Sequence, residues 1–169
     1  NEKTTYVMVT PEMAGEILDI SIAGKNPVES QVISQEDLAA QSKQKKVALR
    51  NAGSINPEDI NDYLAVDGYK AIEKVLKEMT PLQVIEEIKI SGLRGRGGAG
   101  FPTWFKWNAA YQQKETPKYM VCNADEGDPG AFMDRSILEG VPHGVIEGMM
   151  IGGYAMGANE GIFYVRAEY

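Results

Sequence analysis

Glycines and basic side chains are concentrated in one short segment whose composition suits an anionic ligand. Residues 92–100 contain five glycines, and Arg94 and Arg96 lie between them. Glycine accepts positive φ angles, and successive backbone amides in such a loop can surround an anion. Arginine adds a planar fork that fits a phosphate, and Lys106 adds a point charge nearby. We expect a phosphate-binding loop here; the alternative is a flexible turn between helices.

The same loop fits the pattern G-x-G-x-x-G at residues 95–100. The dinucleotide-binding form of this pattern requires a strand immediately before it and a helix immediately after it. Residues 82–90 have helical spacing instead, and they follow a helix-start signal at Thr80. The sequence therefore argues against the standard Rossmann fingerprint and keeps the phosphate-binding loop.

Acidic and amide side chains form a second candidate segment, residues 123–130, with the sequence Asn-Ala-Asp-Glu-Gly-Asp-Pro-Gly. It follows the apolar residues 119–122, which predict a buried strand, and ligands of open α/β sheets bind at the carboxyl ends of strands. Its oxygens could accept hydrogen bonds from ribose hydroxyls, a carboxamide or ring N–H groups. Two alternatives remain open: a site for a hard cation such as Mg²⁺ or Ca²⁺, and a solvated acidic turn.

Composition limits the class of protein. The chain has 169 residues, 43% of them apolar and 24% charged, which is typical of a folded chain. A net charge of −7 argues against a general nucleic-acid or anionic-membrane surface. A lone cysteine, Cys122, can form neither an internal disulfide nor a metal cluster by itself. No secretory leader or membrane span is visible, so we expect a cytoplasmic protein, and the lack of an initiator Met suggests a piece of a longer one.

The elements that would position both loops follow from caps and periodicity. Helix-start signals occur at Thr10-Pro11, Asn56-Pro57 and Thr80-Pro81, and Gln83 completes a capping box with Thr80. Residues 24–46 are interpreted as a connection. Short strands are expected at 6–9, 31–34, 46–50, 119–122 and 161–165, and helices at 104–111, 133–139 and 142–158. The alternation in the second half predicts an α/β fold with a parallel sheet and helices on its faces.

Several other residues receive structural interpretations. His143 follows Pro142 at a helix start and is expected to cap or pack, and Cys122 is expected to be a small apolar residue of a strand. Glu147 and Glu168 are left open between a solvated position and an interface. Helix packing is expected for Met149, Met150 and Met156.

Together, the two loops resemble the flavin-binding NADH dehydrogenase subunit of respiratory complex I and the NAD-linked diaphorase subunits of hydrogenases and formate dehydrogenases. The resemblance covers roughly residues 84–169. It rests on residues 92–103, Lys106-Trp107, residues 122–130, Asp134-Arg135, residues 141–143, 146–148 and 164–169. Residues 46–80 look like the linking segment of hydrogenase-type members.

The resemblance implies three parts of the chain and two cofactors. Residues 1–24 would be the tail of a thioredoxin-like domain, residues 25–80 a linker with a short strand and helices, and residues 81–169 the first part of an FMN- and NADH-binding domain with a partial Rossmann-like parallel sheet. Hydride would pass from NADH to FMN, with no catalytic side chain and no metal ligand in this chain. The second nucleotide segment and a 4Fe–4S cluster would lie beyond residue 169, so little activity is expected of residues 1–169 alone.

The resemblance also assigns residues. The FMN and nucleotide phosphates would be held by the glycine loop, Gly95, Arg96, Gly97, Gly98 and Gly100, with Lys106. Phe101 would lie near the adenine, Asn123 and Asp125 would contact the flavin, and Glu126 and Asp128 would line the nicotinamide side. Asp128 stands where Glu is usual, and Trp104 where Gly is usual, which would put bulk on the phosphate side of the loop.

The implied partners are iron–sulfur subunits, with neither nucleic acid nor direct membrane insertion, and the location is cytoplasmic or peripheral to the inner membrane. The alternative is a redox-inert module for nucleotide phosphates or for subunit docking.

Overall fold

The computed structural model describes residues 4–23 and 28–169, and the chain divides into two compact units, residues 1–47 and 48–169. In the first unit, helix α1 spans Pro11–Ile17 and begins after Thr10, as the Thr-Pro signal predicts. A π-helical turn, Leu18–Ala23, continues it. A 3₁₀ turn, Glu29–Gln31, and helix α2, Gln35–Ser42, complete the unit. No described helix of the chain is long and apolar enough to cross a membrane.

Two predictions for the first unit are wrong in part. The strands expected at 6–9 and 31–34 reduce, among the described residues, to one antiparallel bridge between Tyr6 and Val32, because Met8 has a φ of 56° and leaves the extended region. The connection expected over 24–46 contains α2; its residues 24–27 lie outside the described part. The signal for α2 was Ser34 followed by Asp37, since the Asp37 amide donates to Ser34 Oγ at 3.0 Å.

The second unit begins with turns. The strand expected at 46–50 is wrong: the Ala52 amide donates to the Leu49 carbonyl (3.0 Å), and Gly53 has a φ of 79°. Helix α3, Ile60–Ala65, begins later than the Asn56-Pro57 signal suggests, because Asp59 is its cap and accepts from the Asn61 amide at 2.8 Å. For the strand predicted at 46–50, alternation over five residues was too weak a signal, and the described residues offer it no partner strand.

Helices α4, Lys70–Glu78, and α5, Pro81–Ile90, follow, and then α6, Thr103–Gln112. The capping box at α5 is confirmed: the Thr80 amide donates to Gln83 Oε1 (2.8 Å) and the Gln83 amide donates to Thr80 Oγ1 (3.4 Å). The main cluster of buried side chains comes from α4, α5 and α8, with aromatic residues of α6 against it. Its buried members are Ile72, Val75, Val84, Ile85 and Ala155.

The remaining elements form the α/β part of the unit. Strand β1, Tyr119–Ala124, and strand β2, Glu160–Val165, pair in parallel, with Val121 opposite Ile162, and helices α7, Met133–Gly140, and α8, Pro142–Met156, connect them. The protein is therefore of mixed α/β class, mostly helical, with a parallel sheet that has two strands in the described part of the chain. The parallel pairing predicted by the alternation of elements is confirmed.

Helix α8 covers one face of this sheet. A Cβ built on Gly152 of α8 would lie 2.8 Å from the Met120 side chain of β1 and 2.9 Å from the Trp107 ring of α6, so glycine permits the close packing here. The residues that alternate with Met120 are solvent-accessible: Tyr119 is 46% exposed and Val121 51%, beside Ile162 and Tyr164 at 46% and 58%. The described elements thus leave an apolar sheet face open.

A buried carboxylate joins α4 to α8. Glu147 of α8 is only 8% exposed, and it accepts hydrogen bonds from the Tyr63 hydroxyl (2.6 Å) and from the amides of Tyr69, Ala71 and Ile72 (3.1, 3.0 and 3.1 Å). These amides belong to the first turn of α4, where a helix favours negative charge. Burial and the neighbouring Glu147 raise the pKa of Tyr63. Glu147, left open by the sequence, is therefore an internal anchor.

The neighbouring packing predictions are largely confirmed. His143 stacks on the Tyr63 ring at 5.4 Å, and its Nδ1 lies 2.8 Å from the Tyr69 hydroxyl. Cys122 lies in β1. Met149 and Met156 are buried, whereas Met150 is 46% exposed and lies outside the core.

Candidate functional site

The base of the glycine loop is closed by the loop's own hydrogen bonds. The Gly95 amide donates to the Phe101 carbonyl (2.8 Å), and the Thr103 amide donates to the Leu93 carbonyl (3.1 Å). The Arg94 guanidinium donates to the Gly100 carbonyl at 2.9 Å, so this cation holds the loop together. The short apolar and proline positions on either side of the glycines thus turn the chain back on itself between α5 and α6.

The tip of the loop is open. Gly98 and Gly100 have φ angles of 102° and 60°, and a Cβ built on Gly97, Gly98 or Gly100 would meet nothing within 4 Å. Among the described residues, the amides of residues 96–100 donate to no backbone carbonyl. Arg96 is exposed and has no ion pair in that part of the chain. The tip therefore presents unpaired amides and a guanidinium to solvent, which is the donor set that an anionic ligand needs.

The first turn of α6 adds an aromatic and a cation beside the loop. Lys106 Nζ lies 5.4 Å from the centroid of the Phe101 ring, which packs edge-on against Phe105 at 5.7 Å. Phe101 is 43% exposed, so part of this side chain is accessible to a ligand. Trp104 contacts both surroundings: it packs against the buried cluster, with Lys89 Nζ 5.4 Å from its ring centroid, and its ring lies edge-on to Phe105 at 5.6 Å. Its effect on the phosphate side of the loop stays a prediction.

The acidic loop leaves β1 in a series of tight turns. Asn123 Oδ1 accepts from the Asp125 amide (3.1 Å), and the carbonyls of Asp125 and Asp128 accept from the amides of Gly127 and Ala131 (both 3.1 Å). The side chains of Asn123, Asp125 and Asp128 are exposed. Within the described residues the Asp125 and Asp128 carboxylates make no hydrogen bond, so they are available to a ligand.

Glu126 differs from its neighbours, because its carboxylate is used inside the protein. It accepts from the Tyr169 hydroxyl (2.7 Å) and from the first amides of α7, those of Asp134 (3.1 and 3.2 Å to its two oxygens) and Arg135 (3.4 Å). Partial burial by itself raises the pKa of Glu126, but the hydrogen bonds from Tyr169 and the α7 amides outweigh it and lower the pKa overall. Glu126 thus caps α7 and is ionised at neutral pH.

The segment after β2 completes this arrangement. Arg166 donates to the Glu126 carbonyl at 2.6 Å and to the Glu168 carboxylate at 2.8 and 3.0 Å. Hydrogen bonding and the charge of Arg166 lower the pKa of Glu168 to about 2. The guanidinium groups of Arg166 and Arg135 lie 5.4 and 5.7 Å from the Tyr169 ring centroid. The sequence had assigned no role to Arg166 or Tyr169, although both belong to the segment 164–169 that carries part of the family resemblance.

The predicted residues thus fall into two clusters. One contains the glycine loop, with Arg96, Phe101 and Lys106, and the other contains the acidic loop, with Asn123, Asp125, Glu126 and Asp128. Among the described residues no hydrogen bond, ion pair or ring contact joins the two clusters. The same part of the chain contains no group of three or more His, Cys, Asp or Glu side chains placed to hold a metal ion. A role for both clusters in one site stays a prediction.

Comparison with known proteins identifies the domain. Residues 88–169, which contain both clusters, match the family described as the Nuo51 FMN-binding domain. Over these residues the chain is homologous to that domain. The predicted kinship with the flavin-binding subunit of complex I and hydrogenases is confirmed at this level.

The chain also matches individual curated proteins. The chain is 60% identical over 129 residues to the NADP-reducing hydrogenase subunit HndC of Solidesulfovibrio fructosivorans, covering 76% of this chain and 26% of that protein. It is 50% identical over 121 residues to a subunit of the NADH-quinone oxidoreductase of Aquifex aeolicus, covering 72% and 28%. The chain therefore spans about a quarter of the length of these curated relatives.

Two solved structures share the fold. A NAD⁺-reducing [NiFe]-hydrogenase in its H₂-reduced state aligns with a TM-score of 0.51 and 43% identity, over 53% of this chain and 15% of that chain. The air-oxidised state of a NAD⁺-reducing [NiFe]-hydrogenase aligns with a TM-score of 0.51 and 25% identity, over 97% and 27%. The chain is thus homologous to subunits of complex I and of hydrogenases.

Proposed function

We propose that this protein is an electron-entry subunit that binds FMN, oxidises NADH and passes electrons singly to iron–sulfur clusters of a larger oxidoreductase. The observation that carries the proposal is the match of residues 88–169 to the FMN-binding family, with the open glycine loop inside it. Fold alone would not support an activity, because one fold serves many functions. Here family and loop chemistry agree.

The glycine loop fits the phosphate of FMN. Its tip offers unpaired amides at residues 96–100, and a side chain at Gly97 or Gly98 would occupy the space beside them. Arg96 and Lys106 supply charge-assisted hydrogen bonds, which are about twice as strong as neutral ones. These residues, with Gly95 and Gly100, would hold the FMN phosphate and the nucleotide phosphates. Phe101 would stack near the adenine, because its ring is accessible and already beside a cation.

The acidic loop would orient the rings. Asn123 and Asp125, at the carboxyl end of β1, would contact the flavin, and Asp128 would line the nicotinamide side next to Glu126, whose carboxylate already accepts hydrogen bonds inside the protein. Bound FMN supplies the hydride acceptor. The chain's own contribution would be to hold donor and acceptor in line and to keep water out, and no side chain is required as acid or base.

The wider assignments rest on kinship. The two-stranded sheet would be part of a larger Rossmann-like sheet with helices on both faces, residues 1–24 the tail of a thioredoxin-like domain, and residues 25–80 the linker. Iron–sulfur subunits of complex I or of a NAD-linked hydrogenase would be the partners, and a 4Fe–4S cluster would belong to the same subunit. The location would be cytoplasmic, peripheral to the inner membrane where the complex is respiratory.

One relative favours a second nicotinamide. The name of HndC assigns it to an NADP-reducing hydrogenase, and it is 60% identical to this chain. NADPH is therefore the second candidate donor, and a turnover assay should compare both dinucleotides. A redox-inert phosphate-binding module is the remaining alternative.

The experiment combines flavin binding and turnover. The full-length subunit is purified and titrated with FMN by flavin fluorescence, and its NADH and NADPH oxidation is followed with ferricyanide as acceptor. Arg96→Ala should weaken FMN binding about ten- to a hundredfold, the effect of losing a charge-assisted hydrogen bond of about 1.5–3 kcal/mol. Lys114→Ala removes the same charge from an exposed position between α6 and β1 and should leave the affinity unchanged. Equal FMN affinity in the wild-type and Arg96→Ala proteins would reject the phosphate site.

A further inference from the structure

We propose that Glu126 is a positioning residue, which together with Tyr169 and Arg166 sets the geometry of the acidic loop and does not itself bind the nicotinamide nucleotide. The inference deepens the proposed function and rests on it for its kinetic readout. It concerns the same site but replaces the direct contact that the family resemblance implies for Glu126.

The Glu126 carboxylate already has several hydrogen-bond partners inside the protein. Four hydrogen bonds from three donor groups end on its two oxygens: two from the Asp134 amide, one from the Arg135 amide and one from the Tyr169 hydroxyl. Three of the four end on Oε2, so a ligand hydroxyl or carboxamide at that oxygen would compete with the Tyr169 hydroxyl and with the α7 amides. Donors that are already paired must be left unsatisfied for such a contact to form, which is unfavourable in a partly buried place.

These hydrogen bonds connect separate parts of the chain. Glu126 lies in the loop after β1, the amides belong to the first turn of α7, and Tyr169 follows β2. The Tyr169 hydroxyl also lies 3.2 Å from the Ala131 carbonyl, farther along the same loop. One carboxylate therefore ties three segments that are up to 43 residues apart in sequence. The loop's ends are fixed on a helix and on a strand end, while its middle remains accessible.

The backbone of Glu126 is held as well as its side chain. Arg166 donates to the Glu126 carbonyl at 2.6 Å and is itself held by Glu168 at 2.8 Å. Both the main chain and the side chain of Glu126 are thus anchored. The exposed carboxylates on either side, those of Asp125 and Asp128, make no hydrogen bond among the described residues, so their orientation depends on the loop backbone, which Glu126 anchors together with the turns of the loop.

The test is a double-mutant cycle in the holoenzyme with NADH and ferricyanide. Glu126→Gln keeps the size of the side chain but turns a donor toward Tyr169 and the α7 amides. Tyr169→Phe removes only the hydroxyl and keeps the ring beside Arg166. Each variant should raise the KM for NADH about three- to tenfold with kcat changed less, as expected for one hydrogen bond. The double variant should resemble the single ones, because both remove the same contact.

Asp128→Asn is the matched control. Its carboxylate lies in the same loop without a hydrogen bond in the described part of the chain, so its effect on KM should multiply with that of Tyr169→Phe. If Glu126 binds the nucleotide directly, Tyr169→Phe leaves the KM for NADH unchanged, whereas Glu126→Gln still raises it. That result would overturn the proposal.

Amide hydrogen exchange separates this proposal from the proposed function. Exchange over residues 127–135 should be faster in both single variants and unchanged in Asp128→Asn. Unchanged exchange in Glu126→Gln and Tyr169→Phe would overturn the positioning role even where FMN and NADH bind normally. If the wild-type protein binds no FMN, the proposed function fails, whereas the exchange experiment still decides whether Glu126 orders the loop.

Discussion

Two glutamates of this chain serve as internal hydrogen-bond acceptors, and they differ in how completely they are enclosed. Glu147 is buried and receives a hydroxyl and three amides, whereas Glu126 is only partly buried at the start of α7. Removing one partner of a buried charged contact leaves the others unsatisfied, which is costly. Glu147 should therefore matter chiefly for folding.

Substitutions at Glu147 should be graded by how many hydrogen bonds they keep. Glu147→Gln keeps one acceptor oxygen and should lower the free energy of unfolding by about 1–2 kcal/mol, and Glu147→Ala by about 3–5 kcal/mol. Glu139→Gln is the matched control, because it removes an exposed pair with Arg135 that is worth at most about 1 kcal/mol. Urea unfolding measures all three. Similar decreases in the free energy of unfolding for Glu139→Gln and Glu147→Gln would contradict the role of Glu147 as an internal anchor.

Stability should also fall in acid because of Glu126 and Glu168. Their folded-state pKa values are lowered, that of Glu168 to about 2, so the unfolded chain binds protons first as the pH falls. Their contribution is complete above the unfolded pKa of about 4.3 and is lost as the pH falls through the folded pKa. The melting temperature of the wild-type protein should approach that of Glu126→Gln between pH 6 and pH 3. A constant difference over that range would argue against a lowered pKa at Glu126.

At the scale of elements, α8 is the centre of the second unit. It packs on β1 and α6 through Gly152, holds α4 through Glu147, and accepts from Lys118 Nζ at its last turn through the Met156 carbonyl (3.1 Å). A cation at the end of a helix also complements the partial negative charge there. Because β1 carries the acidic loop and α6 follows the glycine loop, the placement of α8 affects both candidate clusters.

Two glycine substitutions in α8 should therefore change the stability of the protein in opposite directions. Gly152→Ala places a methyl 2.8 Å from Met120 and 2.9 Å from Trp107 and should destabilise the protein by about 1–3 kcal/mol, since overpacking forces neighbours to move. Gly148→Ala meets nothing within 4 Å and should be neutral or stabilise by up to about 1 kcal/mol, because alanine favours helix. Thermal melts of both variants measure the contrast. Equal melting temperatures would show that the helix and sheet are less closely packed.

At the scale of the molecule, the folding unit is larger than the family match. The matched segment begins at residue 88, but residues 48–169 form one compact unit, and the buried cluster takes Ile72, Val75, Val84 and Ile85 from before the match. The Tyr154 hydroxyl donates to the Met79 carbonyl (2.7 Å), which adds a polar contact across the same boundary. Helices α3–α5 are thus part of the core on which α8 packs.

Shortening the chain from its N-terminus should show which residues are needed for cooperative folding. A chain of residues 48–169 should unfold in one cooperative transition, whereas residues 88–169 should lack one, because Glu147 would lose every partner given by α3 and α4 and Ala155 would lose its apolar neighbours. Circular dichroism during heating compares the two. Cooperative unfolding of residues 88–169 would show that the preceding helices are dispensable.

Features that depend on near neighbours could be predicted from the amino-acid sequence alone. The cap at Thr80 and Gln83, the helix after Pro142, the parallel strand pair and the composition of the glycine loop follow from contacts within a few residues or from a simple alternation. Such local rules failed where partners were distant or absent. The strand expected at 46–50 finds no strand to pair with in the described part of the chain, and α2 depends on a cap formed by Ser34 and Asp37 within a polar segment.

The roles of the charged and aromatic residues depend instead on contacts between distant parts of the chain. Nothing in the local sequence distinguishes Glu147, Glu126 or Trp104. The role of each depends on the groups that it contacts in the fold, which are helix amides for both glutamates and the buried cluster for Trp104. The Glu147 carboxylate accepts hydrogen bonds from three amides and so connects two helices, whereas a carboxylate in water would be available to a ligand. Its function therefore depends on long-range packing, because the free energy of a charge is set by its surroundings.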